Sequence, residues 1–213
     1  NAFSVLAIAN KGDLLSAPDT YMEKIAIGNN LPNNLLDLDY GVQKNLKLLA
    51  EAKNKKISDL SACVLKRPRH DYIVKELINM NVKINYITDG DIAGALSVIG
   101  DSPKNDIYYS TGGGPEGVIV AAALSCFGGQ IQGRLVLNED EKVRAKKLGI
   151  KDFNKKYNID DMVKGDVIFC ATGVTTGDLA KGVEDLGNEY KVTTFALHRS
   201  QEIVQKISNI YNK

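Results

Sequence analysis

Asp106-Ile107-Tyr108-Tyr109-Ser110-Thr111-Gly112-Gly113-Gly114-Pro115-Glu116-Gly117, running on into the apolar residues 118–127, is the stretch on which the fold turns. Residues 107–110 are β-branched, aromatic or small and read as a strand end. Pro115 suits the first position of a helix, where a missing N–H costs nothing. Residues 118–127 then form an apolar run that stops at Gly128-Gly129, too short to span a bilayer and therefore a buried helix. The glycines are expected to allow close backbone approach and positive φ. The free N–H groups and positive dipole end of the helix favour an anion such as phosphate. Glu116 sits in the same place, and a carboxylate beside a phosphate calls for a cation between them. An acidic residue in a first helical turn is also stabilised by ~0.3–1 kcal/mol without any ligand. No Lys-Ser/Thr follows the turn, so it is not a P-loop, and it lacks the GxGxxG spacing of a dinucleotide site.

The same order of apolar strand, polar loop and amphipathic helix recurs outward from this stretch. Residues 62–65 lead through Lys66-Arg67-Pro68-Arg69-His70 into a helical pattern over 71–80. Residues 82–88 lead through Asp89-Gly90-Asp91 into 92–99. Residues 167–172 lead through Gly173-Val174-Thr175-Thr176-Gly177-Asp178 into 179–183. Residues 3–9 read as a strand followed by a turn at Asn10-Lys11-Gly12, 42–52 as an amphipathic helix, 28–36 as a loop and 191–197 as a strand. Residues 202–211 read as a helix with Ile203, Ile207 and Ile210 on one face. This alternation predicts a layered α/β fold with a parallel or mixed sheet. It also sets the unusual loops at carboxyl ends of strands, where open α/β sheets gather ligands.

Two of those loops carry chemistry. The guanidinium groups of Arg67 and Arg69, stiffened by Pro68, suit a phosphate clamp, or simply a solvated basic turn. Asp89 and Asp91 around Gly90 can accept sugar hydroxyls, hold a cation or share a proton, while the preference of Asp for helix starts favours Asp91 as the cap of the helix that follows. His70 reads either as a helix-start residue or as a ligand contact, and Tyr21 either as a core aromatic or as a hydroxyl donor to ligand.

Composition restricts the field. Lys+Arg 27 against Asp+Glu 26 gives a net charge of +1 over 213 residues, so no global field recruits nucleic acid. Cys63, Cys126 and Cys170 are scattered without CxxC spacing, which predicts no disulfide framework and a reducing cytoplasm. With only His70 and His198 for imidazole ligands, a bound metal is expected to be held by carboxylates, as Mg²⁺ and Mn²⁺ are. Neither a signal peptide nor a membrane span is visible. The chain opens without Met on a core-like strand, which suggests a piece of a longer protein.

Taken in order, Tyr21-Met22-Glu23-Lys24, Arg67-Pro68-Arg69-His70, Asp89-Gly90-Asp91-Ile92-Ala93-Gly94-Ala95 and Gly112-Gly113-Gly114-Pro115-Glu116-Gly117 resemble the class II fructose-1,6-bisphosphatases. Gly133-Arg134-Leu135 and residues 171–179 continue the likeness, which covers nearly the whole chain. The resemblance implies the layered α/β sandwich of the inositol-phosphatase/fructose-bisphosphatase superfamily. It implies a cytoplasmic, metal-dependent hydrolase of gluconeogenesis that removes the 1-phosphate of fructose 1,6-bisphosphate, usually with Mn²⁺ and otherwise Mg²⁺. Sedoheptulose bisphosphate or a related sugar or inositol phosphate is the alternative substrate. A homo-oligomer, dimer or tetramer, is implied as well. Carried over by motif, Tyr21, Arg67, Pro68, Arg69, Asp89, Gly90, Asp91 and Gly113 contact substrate and Glu116 ligates metal. The family's other metal carboxylates and its catalytic Asp-Pro-x-acidic-Gly-Thr motif lie upstream of the first strand here. No catalytic residue is therefore assigned within this chain. The 213 residues are expected to be the C-terminal two-thirds of the fold, inactive alone or a phosphosugar-binding fragment. Gly114 stands where the family commonly has Ala.

Overall fold

In a computed structural model, residues 2–100, 102–177 and 181–213 are described. Two sheets and two layers of helix alternate. The strands are β1 (Phe3–Ala9), β2 (Tyr21–Ile27), β3 (Ser61–Leu65), β4 (Lys83–Ile87), β5 (Ile107–Gly113), β6 (Gln130–Val136), β7 (Lys156–Tyr157), β8 (Val167–Gly173), β9 (Glu184–Asp185), β10 (Glu189–His198) and β11 (Ile203–Asn212). The helices are α1 (Gly41–Ala52), α2 (Asp71–Asn79), α3 (Asp91–Leu96), α4 (Gly114–Phe127), α5 (Glu139–Lys147) and α6 (Ile159–Met162).

The larger sheet has the order β4-β3-β5-β2-β6-β7. β3 runs parallel to both β4 and β5, while β2 is antiparallel to β5 and β6, so the sheet is mixed. Side-chain alternation assigns its two faces. Ile25, Ile27, Ala62, Val64, Ile107 and Tyr109 meet Leu46 and Leu49 of α1 and Ile73 and Leu77 of α2. Met22, Ala26, Cys63 and Tyr108 point the other way, toward α3 and α4. Beyond α4 lies the second, antiparallel sheet, β1-β8-β10-β11, with β9 attached to β10. Phe169, Ala171 and Leu197 close the core from that side. From Val118 to Leu124 α4 is apolar on every side because it is roofed and floored by sheet, and these residues are buried apart from Ile119.

The C-terminal helix expectation is wrong. Residues 203–212 form β11 and pair in register with the whole of β10, from Glu189↔Asn212 to His198↔Ile203. Glu202, at φ 50°, ends the turn that sends the chain back. Nearly all of β11 is exposed, so the 3.6-residue spacing of its isoleucines had no core to face. Its β-branched residues found a ladder instead. The helix expected over 179–183 falls partly outside the described residues, and 181–183 belong to no helix or strand. The expected turn around Gly12, the 28–36 loop and the other strands and helices stand as read from the sequence, with boundaries shifted by a few residues.

Candidate phosphosugar site

Because β3, β4 and β5 are parallel, their carboxyl ends share one edge of the sheet. β2 is antiparallel to β5, so its first residue comes to the same edge, with Tyr21 opposite Gly113. This topology gathers Tyr21, the Arg67–His70 loop, the Asp89–Asp91 turn and Glu116, which are far apart in sequence.

β3 ends at Leu65 and passes through a 3₁₀ turn, Pro68–His70. His70 is buried beneath it. Its Nδ1–H donates to the Leu65 carbonyl at 2.5 Å, and its Nε2 accepts the Thr111 N–H at 2.7 Å. Those partners fix one neutral tautomer. Burial, reinforced by the charges of Arg69 and Arg67, holds its pKa below the usual histidine value against the Leu65 bond and Asp91. His70 is therefore a strut between β3 and β5 and leaves the outward face to the arginines. Arg69 donates from Nε to the Thr111 carbonyl at 2.8 Å and lies over the Tyr21 ring, 4.8 Å from its centroid. Arg67 donates to the Lys66 carbonyl at 2.9 Å. Neither guanidinium has a carboxylate partner among the described residues, which leaves both charges for an anion.

At the end of β4, Asp89 is exposed and Gly90 adopts φ 85°, in the left-handed region. Gly90 is the residue that caps α3, so Asp91 occupies the first turn and is not the cap expected of it. Its carboxylate turns inward. Oδ1 accepts the hydroxyls of Ser110, at 2.5 Å, and of Tyr108, while Oδ2 accepts Lys24 Nζ. Burial raises the Asp91 pKa, but the Lys24 charge and these hydrogen bonds outweigh it and hold the group below the ordinary aspartate range. Lys24 is completely buried in the middle of β2 and also donates to the Gly113 carbonyl at 2.9 Å.

β5 runs straight into α4 without a loop, since Gly113 is the last strand residue and Gly114 the first helical one. Pro115 lies in the first turn, as its fixed φ predicts. None of Gly112, Gly113 and Gly114 has positive φ, which corrects that part of the sequence reading. What they provide is room. A Cβ on Gly112 would stand 2.7 Å from Asp91 Oδ2, and one on Gly113 would collide with the Glu116 carboxylate. Glu116 is exposed, folds back over the strand end and has no hydrogen-bond or ion-pair partner among the described residues. A hard oxygen donor without a partner suits Mg²⁺ or Mn²⁺. It is a single ligand, however, and no cluster of three candidate metal-binding side chains occurs among the described residues.

Beside the edge, a cavity of about 630 Å³ is lined by Asp89, Gly90, Asn85 and Phe3, with Thr175 and Gly177 contributed from the end of β8. The Thr/Gly loop after β8 thus borders the Asp89 turn. The sequence reading left Lys24, Tyr108 and Ser110 without a role. A lysine in phase with Met22 and Ala26, on the buried face of an apolar strand, is the signal that marks the first.

Two guanidiniums without carboxylate partners, a DGD turn and an unpartnered carboxylate thus share one end of a layered α/β sandwich, an arrangement that suits a phosphorylated sugar. The chain belongs to the bacterial fructose-1,6-bisphosphatase family, glpX-encoded, which it matches over residues 1–211. It is similar to the fructose-1,6-bisphosphatase class 2 of Haemophilus influenzae, 37% identical over 226 residues that cover 99% of this chain and 67% of the relative. Fructose-1,6-bisphosphatase 1 class 2 of Escherichia coli K12 is 34% identical over the same shares. A Synechococcus protein named D-fructose 1,6-bisphosphatase class 2/sedoheptulose 1,7-bisphosphatase is 35% identical across 100% of this chain and 65% of its own length. The chain thus spans about two-thirds of the length of these relatives. The family is one of phosphoric monoester hydrolases.

Proposed function

We propose that this chain forms the substrate wall of a divalent-metal fructose 1,6-bisphosphatase, which releases the 1-phosphate and leaves fructose 6-phosphate. The observation that carries the reading is the pair of guanidiniums without carboxylate partners beside the Asp89–Asp91 turn and the unpartnered Glu116. Arg67 and Arg69 bind a phosphate group through charge-assisted bonds. Tyr21 holds Arg69 by stacking under its guanidinium. Asp89 accepts a sugar hydroxyl. Asp91 has three donors already, but two carboxylate oxygens offer about four acceptor sites, which leaves one for a second hydroxyl. Gly90 and Gly113 keep the backbone open to the sugar. Glu116 would hold the cation, with Mn²⁺ first and Mg²⁺ second as the metal. When bound, such an ion polarises the phosphoryl group and supplies a water nucleophile.

The other metal ligands, and the groups that orient the attacking water, are proposed to come from the third of the relatives' length that this chain does not match. On that reading the 213 residues alone bind substrate and do not turn it over. The protein is proposed to work in the cytoplasm as a homo-oligomer, dimer or tetramer, within gluconeogenesis. Its three free cysteines suit a reducing compartment, and no helix among the described residues is long and apolar enough to cross a membrane. The name of the Synechococcus relative favours sedoheptulose 1,7-bisphosphate as the second substrate to test.

Phosphate release from fructose 1,6-bisphosphate, sedoheptulose 1,7-bisphosphate and inositol monophosphate by the full-length protein, with and without Mn²⁺, tests this reading. Fructose bisphosphate should be turned over with metal and lost in Glu116→Ala while the fold survives. Near-normal release by Glu116→Ala would remove the residue from the site.

A further inference from the structure

The least expected group in the molecule is the ammonium of Lys24. Its side chain has 0% exposure, and it shares its sheet face with Met22, Ala26 and Tyr108 against α3 and α4. An apolar residue of similar size would serve stability there at least as well, because taking a charge out of water is offset only by well-placed partners. The partners that Lys24 has are informative. Nζ donates to Asp91, in the turn that carries Asp89 and Gly90, and to the carbonyl of Gly113, the residue over which Glu116 folds. One buried cation therefore ties the sugar side of the wall to the metal side. It lies too deep to touch a ligand itself. The packing around it is close: a Cβ on Gly117, one residue beyond Glu116, would stand 3.2 Å from Lys24 Cδ.

We propose that Lys24 is a positioning residue: it sets the Asp91 carboxylate and the Gly113 carbonyl, and through them the spacing between the sugar-hydroxyl acceptors and the Glu116 metal ligand. The inference rests on the functional reading above. Outer groups that orient ligands commonly affect metal affinity or activity 10–100-fold, and the effect expected here is of that size.

The test uses full-length protein, with Mn²⁺ affinity measured by calorimetry without substrate and KM and kcat for fructose 1,6-bisphosphate measured with metal. Lys24→Met removes both hydrogen bonds. Lys24→Gln keeps a neutral donor that can still serve Asp91 or Gly113. In folded Lys24→Met, the Mn²⁺ dissociation constant and KM should each rise about tenfold or more, and Lys24→Gln should recover part of both. A lowered melting temperature with unchanged metal affinity and KM would make Lys24 a structural ion-pair partner only and overturn the proposal. Failure of both variants to fold would overturn it in the same way. Glu116→Ala, assayed in parallel, keeps the two readings apart. If that variant binds Mn²⁺ and turns over normally, the functional reading falls whatever Lys24 does. If it loses both while Lys24→Met is unaffected, only the positioning role falls.

Discussion

Glu116 lays its carboxylate where a Cβ on Gly113 would have to be. The two residues are one turn of chain apart, and the first has no side chain because the second needs the space. Gly113 has φ −59° and ψ 141°, which alanine adopts without strain. Gly113→Ala is therefore expected to fold normally and to displace Glu116. Its Mn²⁺ affinity should fall roughly 10–100-fold with little change in melting temperature. Calorimetric titration with Mn²⁺ checks this, and an unchanged affinity would show that Glu116 needs no such room.

Arg69→Lys keeps the charge but loses the planar fork that donates to the Thr111 carbonyl and stacks on Tyr21. Hydrogen bonds to charged groups contribute about 1.5–3 kcal/mol, so KM for the bisphosphate should rise by about ten- to a hundredfold. Steady-state kinetics with matched melting curves decides it. A KM within twofold of the parent would show that the guanidinium does not bind phosphate.

His70 links stability to pH. Burial lowers its folded pKa below the ordinary value near 6.5, so the unfolded chain binds more protons between the folded pKa and about 6.5. The contribution of His70 is present above about pH 6.5 and is lost as pH falls from there to the folded pKa. His70→Gln should flatten that part of the stability profile. It should also lower stability at pH 8, because its amide cannot match both the Leu65 carbonyl and the Thr111 N–H in ring geometry. Urea midpoints at a series of pH values measure both effects. A profile of the variant parallel to that of the parent between pH 5 and 7 would dismiss the assignment.

Asn138 supplies a control away from the wall. Its side chain accepts the Glu141 N–H at 2.9 Å, and Glu141 accepts the Asn138 N–H at 2.8 Å, closing a capping box at the start of α5. Asn138→Ala should cost about 1 kcal/mol of stability and leave KM unchanged. An altered KM would mean that α5 bears on the site.

The strand edge was legible from sequence because each of its loops follows an apolar run with β-branched residues. The placing of Arg67, Asp89 and Glu116 at one end of the sheet follows from that pattern. Asp91 was legible as a carboxylate but not as an inward one, since its partners Lys24, Tyr108 and Ser110 come from strands distant in the chain. The glycines announced closeness without saying to what; Gly112 and Gly113 make room for the protein's own carboxylates, Asp91 and Glu116. β11 was misread because periodicity reports which residues share a face only when that face is buried.

The apolar middle of α4, Val118–Leu124, bears on the order in which this chain can fold. It packs on α3, on β2, β5 and β6 of one sheet and on β1, β8 and β10 of the other, so its neighbours come from residues 3–9 and from 167–198. Until those distant segments meet, the side of Val118–Leu124 turned away from the first sheet has no shelter, and closure of such long loops is slow. Collapse should be rate-limited by assembly of the second sheet around a preformed first one, and any variant that loosens β1 or β8 should aggregate through this helix.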